Sequence, residues 1–542
     1  MKLYNILVFI LLTISTFSQS KIKQKIDSIF SEWNKTETPG GAVGIFKDGE
    51  ILFSKGYGLA NLEYNIPNSP TSVFRIASTS KQFTAACIVK LAEKGKVSLD
   101  DNLKSFFPEF PDYAEKITIR HLLNHTSGIR DYYVIAYLKG LTNNAFFTDE
   151  DVMDWLINQQ ELNFEPGSQF MYSNSGYWLI YQIINKVSSM NMADFAQSEL
   201  FKPLKMNFTH FQNNHNQIVK NRASGYSPKK DNEYQINMTS LDMIGDGGIF
   251  TTIEDLKNWD DEFYSHNTLG DIFWKTMTQK AILNNGDTID YACGLFIEEY
   301  NGYKTIRHRG SFVGFKAEYI RFPEEGFSIA ILANRSDANP ARLVENVADL
   351  FLADNSEIKS SPASQKSINI NPSELKQFIG KYWSKKQLKQ TEIKLINDTL
   401  FYHQSNDKIQ PLIPISKNQF KLNDINSETF LTFEKNSNQK LIRISIQNIE
   451  DDELTYFNFK PKSIEELKQI EGSYYSKEME VNYQIKLHKN QLELYINNQY
   501  ISPLLQVYET TFKNDRFGVF IFEEHGFRLN TSRAKNILFI KQ

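Results

Sequence analysis

Between about residues 21 and 355 the apolar positions switch repeatedly between a helical and an alternating period, which predicts a mixed α/β region. VGIF at 43–46, Asp48-Gly49 and ILFSK at 51–55 read as a β-hairpin joined by a two-residue turn. Ala85, Ile88, Val89 and Ala92 share one face at helical spacing, in a helix expected to start at about Ser78 and to end at the Lys94-Gly95 cap. A second apolar helix is expected from Tyr177 to Val187, behind a Pro166-Gly167 turn, and Phe312 to Ile320 has the texture of a strand.

Beyond residue 372 the texture changes to short strands separated by Asn, Asp, Lys and Gly turns, and the text repeats itself. ELKQ at 374–377 recurs at 466–469, Gly380 and Tyr382 as Gly472 and Tyr474, and IKL at 393–395 as 485–487. Pro411-Leu412 returns as Pro503-Leu504 and Phe420-Lys421 as Phe512-Lys513, always 92 residues on. In the second copy Tyr483, Ile485 and Leu487 alternate with polar residues, as do Leu492, Leu494 and Ile496, so each hairpin has one buried face. The expected organisation is a mixed domain at 21–355, a Ser-rich polar linker at 356–371, and two small β modules at 372–462 and 463–542, each a curled sheet or barrel.

Residues 1–19 carry Lys2, an apolar run from Ile6 to Ile14 and then Ser15 and Ser18, with Ser20 just beyond, the layout of a cleavable secretory signal. The run is shorter than the roughly 20 residues of a spanning helix, and no later stretch is apolar enough to span, so a periplasmic or secreted protein without a membrane span is expected. Charges nearly cancel, 60 basic against 64 acidic, which gives no electrostatic case for a nucleic-acid partner. Cys87 and Cys293 could pair in an oxidising compartment, but the plainer reading is two buried thiols behaving as small hydrophobes. The nine His and two Cys form no ligand-spaced cluster, so neither a metal nor another cofactor is expected.

Ser78 and Lys81 stand three apart where a helix begins, so the amine can reach the hydroxyl. A serine hydroxyl needs a base to become a nucleophile, and the free N–H groups of a helix start favour an oxyanion. The S-x-x-K pattern recurs elsewhere, for example at Ser227–Lys230 and Ser532–Lys535, but only at Ser78 does it open an amphipathic helix. Tyr172 and Asn174 lie just before the next apolar helix; a Tyr near a Lys can shuttle protons and an Asn amide can orient a peptide-like group. Read without further context, they equally suit a packed turn. His308, Gly310 and Ser311 form a third cluster, in which Gly310 would let substrate approach the backbone and Ser311 N–H could supply an oxyanion donor; a strand glycine beside a surface His is the plainer alternative. Strand alternation puts Arg309 on the face opposite His308. His121 and His125, in the text HLLNHTSG, read as loop-ordering residues, and Glu165 lacks the context of a deacylation base.

With these blocks in order, namely FRIASTSKQFTAA around Ser78, ITIRHLLNHTSGI at 117–129, FMYSNSGYWLI at 170–180, GDGGIFTTIEDLKNW at 245–259 and RHRGSFVGF at 307–315, the chain resembles the serine β-lactamase and penicillin-binding protein superfamily, in its class C-like branch. The resemblance covers roughly residues 25–350. It implies an antiparallel sheet flanked by helices beside a helical lobe, here followed by the duplicated all-β region. It also implies that Ser78 forms an acyl-enzyme, that Lys81 and Tyr172 move protons, that Asn174 contacts the substrate amide, and that the Ser78 and Ser311 N–H groups form the oxyanion hole. Where relatives carry Lys-Thr-Gly, this chain has His308-Arg-Gly310. Lys is charged at neutral pH and holds a carboxylate, whereas His is mostly neutral, so β-lactams are expected to be weak substrates at most. The expected activity is hydrolysis of amides or esters, D-alanyl-D-alanine carboxypeptidase-like or esterase-like, on small molecules or on peptides such as those derived from peptidoglycan. The alternative is a non-turnover peptidoglycan or β-lactam sensor, suggested by the added β modules.

Overall fold

The computed structural model describes residues 21–142, 145–352, 367–404, 409–422, 429–436, 439–446 and 449–542. The expected signal at 1–19 and most of the expected linker lie outside the described residues. The chain forms two compact units; apart from residues 138–140, they divide between Lys359 and Ser360.

In the first unit, β1 (Gly41–Lys47) and β2 (Glu50–Tyr57) form the expected hairpin, turned at Asp48 and Gly49, both with positive φ. Four later strands, β3 (Phe296–Tyr300), β4 (Tyr303–Phe312), β5 (Phe315–Phe322) and β6 (Phe327–Ala333), join it in an antiparallel sheet of order β3-β4-β5-β6-β1-β2. Every residue of the central strand β6 is buried, because both of its faces are covered.

The four longest helices described in this unit are α1 (Lys81–Glu93), α2 (Asn174–Ser188), α3 (Ile253–Ser265) and α4 (Pro340–Leu352). On one face of the sheet Val344, Val347, Ala348 and Leu352 of α4 pack with Val43, Ile45, Ile329 and Ile331. On the other lies α3, whose Asp260 accepts from Tyr319 Oη at 2.8 Å and pairs with Arg321 Nε at 3.2 Å. α1 is buried along nearly its whole length, as is the first half of α2. The α-helix therefore begins at Lys81. Ser78 sits in a 3-10 turn, Ala77–Ser80, rather than in the first turn of a continuous helix.

The second unit holds two closed eight-stranded antiparallel barrels. The first runs from Gly380–Ser384 to Ile449–Phe457 and closes by pairing those two strands, Lys381 opposite Phe457. The second runs from Gly472–Ser476 to Ile537–Lys541 and closes the same way, Tyr474 opposite Lys541. Eight strands enclose a space that side chains fill; in the first barrel Tyr382, Ile393, Leu400, Leu412, Phe420 and Leu431 do so. In the second, Tyr483, Ile485, Leu492, Leu494 and Ile496 are buried, the face that alternation assigns to the core. The fold class expected from the sequence is the one observed.

Candidate active site

Ser78 is delivered by a short, tightly held turn. Ile76, Ala77, Thr79, Ser80 and Lys81 are buried and Ser78 alone among them is partly open. Ala77 has φ +48°, a left-handed conformation costly for a residue with a Cβ. Neighbouring elements hold it there: Ser80 Oγ accepts from Ile249 N–H at 3.1 Å, and Thr79 Oγ1 donates to the His308 carbonyl at 3.3 Å. Gly310 of β4 is a glycine for the same reason, since a Cβ there would stand 2.0 Å from the Ile76 carbonyl oxygen. The expectation that Gly310 serves substrate approach thus gives way to a packing cause: the backbone that comes close is the Ser78 turn.

Lys81 Nζ is fully buried and touches three oxygens: Asp246 O at 2.6 Å, Asn174 Oδ1 at 2.9 Å and Ser78 Oγ at 3.4 Å. A neutral amine has two hydrogens for the first two and a lone pair for the Ser78 hydroxyl, the arrangement a general base needs. The rings of Tyr172 and Tyr177 face Nζ, with centroids 4.9 and 5.4 Å away. Asn174 is oriented by Asp131, whose Oδ2 accepts from its backbone N–H at 2.8 Å and its Nδ2 at 2.9 Å. That leaves the amide oxygen facing Lys81.

Tyr172 lies in extended chain just before α2, pinned on both sides by His125. Met171 N–H donates to the His125 carbonyl at 2.9 Å and Ser173 N–H to His125 Nδ1 at 3.2 Å. The His125 ring packs against that of Tyr172, 4.2 Å between centroids. With Nδ1 accepting, His125 carries its proton on Nε2, which lies 3.1 Å from Tyr291 Oη. Tyr291 Oη lies 3.2 Å from His308 Nε2, and His308 Nδ1 donates to the Arg309 carbonyl at 2.7 Å. The two backbone anchors thus fix both tautomers, and Tyr291 donates to His308. Burial, reinforced by the charge of Lys81, pushes the His308 pKa down to about 3, so the ring is neutral.

His308 is 2% exposed and both of its nitrogens are engaged, so the structure does not bring it to substrate. Ser311 does reach the open space: with Arg75, Ser78, Tyr133, Asn174 and Asp246 it lines a cavity of about 210 Å³. Arg309 points away from His308, as strand alternation requires, and pairs with Glu318 at 3.2 Å. His121 caps a short helix, its Nδ1 accepting from Thr118 N–H, and Glu165 is an exposed partner of Lys116.

Asp131, Asp246, Tyr291 and Arg75 are site residues that pattern reading missed, although all but Tyr291 lie within or beside the text blocks quoted above. Asp246 accepts from Tyr132 Oη at 3.1 Å, and burial raises its pKa to about 6 against the lowering effect of Lys81. Cys87 and Cys293 are buried, unbonded thiols, and burial pushes Cys293 up to about 12, which makes it unreactive. Among the described residues no group of three or more His, Cys, Asp or Glu is gathered to hold a metal ion.

The β-lactamase family model matches residues 22–354, more than half of the chain. Penicillin-binding protein 4* of Bacillus subtilis strain 168 is 26% identical over 448 residues, covering 78% of this chain and 98% of that protein. A D-aminopeptidase of Gluconobacter oxydans is 25% identical over 300 residues, 55% of this chain and 56% of the enzyme. In fold, the octameric penicillin-binding protein homologue from Pyrococcus abyssi aligns with a TM-score of 0.55 at 24% identity, over 80% of this chain and 99% of that one. The chain belongs to the β-lactamase family, as a serine hydrolase of the β-lactamase and penicillin-binding type.

Proposed function

We propose that the protein is exported and hydrolyses amides or esters through an acyl-enzyme on Ser78, with peptides of D-amino acids as the leading substrate class and β-lactams as poor substrates. The observation that carries this reading is the contact set of Lys81, an amine with two acceptors in place and Ser78 Oγ as its third neighbour. The names of the relatives, a penicillin-binding protein and a D-aminopeptidase, support the substrate class.

In this scheme Ser78 passes its proton to neutral Lys81 as Oγ bonds to the substrate carbonyl carbon, and the carbonyl oxygen takes the negative charge. N–H groups of Ser78 and Ser311 receive that oxyanion. Collapse breaks the bond to the leaving group, which takes up a proton from the Lys81–Tyr172 pair, and the acyl group stays on Ser78. Water then attacks the ester and gives a proton to the pair, which passes it to Ser78 Oγ as the ester bond breaks, releasing the acid and the free serine. The neutral, buried His308 offers no cation at the strand position where a Lys would hold a β-lactam carboxylate, and on that ground these compounds rank low.

Intact-protein mass spectrometry after incubation with a penicillin and with an activated D-alanyl ester tests the reading. A transient adduct mapped to Ser78 with the ester is expected, absent in Ser78→Ala. A stoichiometric adduct that never turns over would instead identify a sensor, and full activity in Ser78→Ala would overturn the scheme.

A further inference from the structure

Arg75 ends the strand that leads into the Ser78 turn, and its side chain is only 7% exposed. Among the described residues it makes no side-chain hydrogen bond or ion pair. Its Nε has no partner, and the guanidinium rests between the rings of Phe250 and Phe312, 5.7 and 5.3 Å from their centroids. Asp246 and Asp242 favour its charge from a distance but neither pairs with it, and a buried cation without a direct ion pair is costly unless an anion arrives to share the site. Arg75 lines the cavity that Ser78 opens into and also a neighbouring one of about 140 Å³.

That second cavity is lined as well by Arg222, Gln212, Thr239, His215 and Asp242. Asp242 is the opposing charge on this wall, and it is already engaged, with Oδ2 2.9 Å from His215 Nδ1. Arg222 is exposed and has no ion pair among the described residues. On this wall two guanidinium groups face one carboxylate that is already engaged, and Asp246 acts on Arg75 only from the adjoining cavity. The other cations near Ser78 are differently placed. Lys81 is taken up by its three oxygens, Arg309 pairs with Glu318, and Lys316 donates to Ser311 Oγ at 2.7 Å on the exposed rim.

We propose that Arg75, backed by Arg222, forms an anion subsite that binds a carboxylate of the substrate attacked by Ser78, in place of the strand position that His308 occupies. The proposal rests on the hydrolase reading above for the identity of the ligand. Two sources of carboxylate fit, the leaving group and the acyl portion. The planar fork of Arg75, preset between two rings, suits a two-point contact with either.

The test uses the full chain and matched thioesters of N-acyl-D-alanine. One pair differs only in the leaving group, mercaptoacetate or its methyl ester; the other differs only in the acyl cap, succinyl or acetyl. The wild-type protein is expected to favour the carboxylate member of one pair by about tenfold or more in kcat/KM, and the pair that responds identifies the source. Arg75→Gln should erase that preference by lowering kcat/KM on the carboxylate member more than on its neutral partner, and Arg75→Lys should restore part of it. Equal loss on both members, no preference in either pair, or loss of preference in Lys316→Gln instead would overturn the subsite. Should Arg75→Gln fail to fold, binding of N-acetyl-D-alanine against its amide, compared between wild type and Arg222→Gln, decides. Weaker binding of the acid alone supports the subsite, and no difference overturns it. The same binding measurement judges the subsite separately if Ser78 is never acylated by the neutral thioester, a result that would sink the hydrolase reading.

Discussion

Asn174 Oδ1 accepts a 2.9 Å hydrogen bond from Lys81, and the opposite end of the same amide donates to Asp131 at 2.9 Å. Asp131 therefore decides which way the amide faces, and the amide holds one of the hydrogens of Lys81. Lys81→Ala should lower the rate of Ser78 acylation about 10³-fold with little change in KM, since the amine acts in proton transfer rather than in binding. Asp131→Ala should cost less, about tenfold to 100-fold, because it frees the Asn174 amide to turn without removing the base. Stopped-flow acylation with an activated ester reads both. Wild-type acylation in Lys81→Ala would mean that another group takes the proton.

Gly310 and Ile76 are packed so closely that no Cβ fits between them, the carbonyl oxygen of Ile76 lying 2.0 Å from where it would stand. Gly310→Ala must push the Ser78 turn away from β4, at a cost of about 1–3 kcal/mol. The displacement falls on the nucleophile, so activity should drop by a larger factor than stability alone accounts for. Thermal unfolding of the first unit together with the acylation rate of the folded protein separates the two effects.

The parts of the site that could be read from the chain were those with short spacing. Ser78 and Lys81 are three apart, and one turn of backbone brings them together whether that turn is 3-10 or α. Tyr172 and Asn174 were placed by the helix that follows them. Asp131 and Asp246 were not legible, because their roles come from contacts with Asn174 across 43 residues and with Lys81 across 165. Strand alternation put Arg309 opposite His308, but it carries no information on what covers the His308 face. That face is closed by Tyr291, from a loop rather than from a strand partner. In the barrels the 92-residue repeat foretold the early strands. They begin at Gly380, Lys389, Thr399 and Gln419 in one copy and at Gly472, Val481, Gln491 and Thr511 in the other. The closing strands had no matching text, since any alternating residues of suitable size complete such a barrel.

Two buried groups at the site should pull the pH dependence of stability in opposite directions. Asp246, raised from 3.8 to about 6, holds its proton in the folded state over that interval, so its contribution to stability declines as pH rises from about 4 to about 6. His308, lowered from 6.5 to about 3, refuses a proton that the unfolded chain accepts, so stability is lost as pH falls below about 6.5. At 1.36 kcal/mol per unit the two effects amount to about 3 and about 5 kcal/mol across their full ranges. Asp246→Asn should therefore steepen the fall in Tm on acidification from pH 6 to pH 4, and His308→Gln should flatten it. Scanning calorimetry at a series of pH values checks both slopes. Parallel curves for the two variants would show that neither group titrates as its surroundings dictate.

Tyr382 and Tyr474 occupy the same place in the two barrels and make the same bond. Tyr382 Oη donates to the Phe378 carbonyl at 2.9 Å and Tyr474 Oη to the Ile470 carbonyl at 2.6 Å, four residues back in each case. Each ring is almost fully buried, at 1% and 2% exposure, so the bond ties the helical turn before the first strand to the interior of its barrel. Replacing Tyr by Phe keeps the ring and removes the hydroxyl, leaving a carbonyl to find water or strain; the expected loss is about 1–2 kcal/mol in either barrel. The effect should stay local. Hydrogen exchange should speed up at 372–380 in Tyr382→Phe and at 464–472 in Tyr474→Phe, while acylation of Ser78 is unchanged in both. Fast exchange spreading through both barrels from a single substitution would show that they unfold as one cooperative body rather than as two repeats.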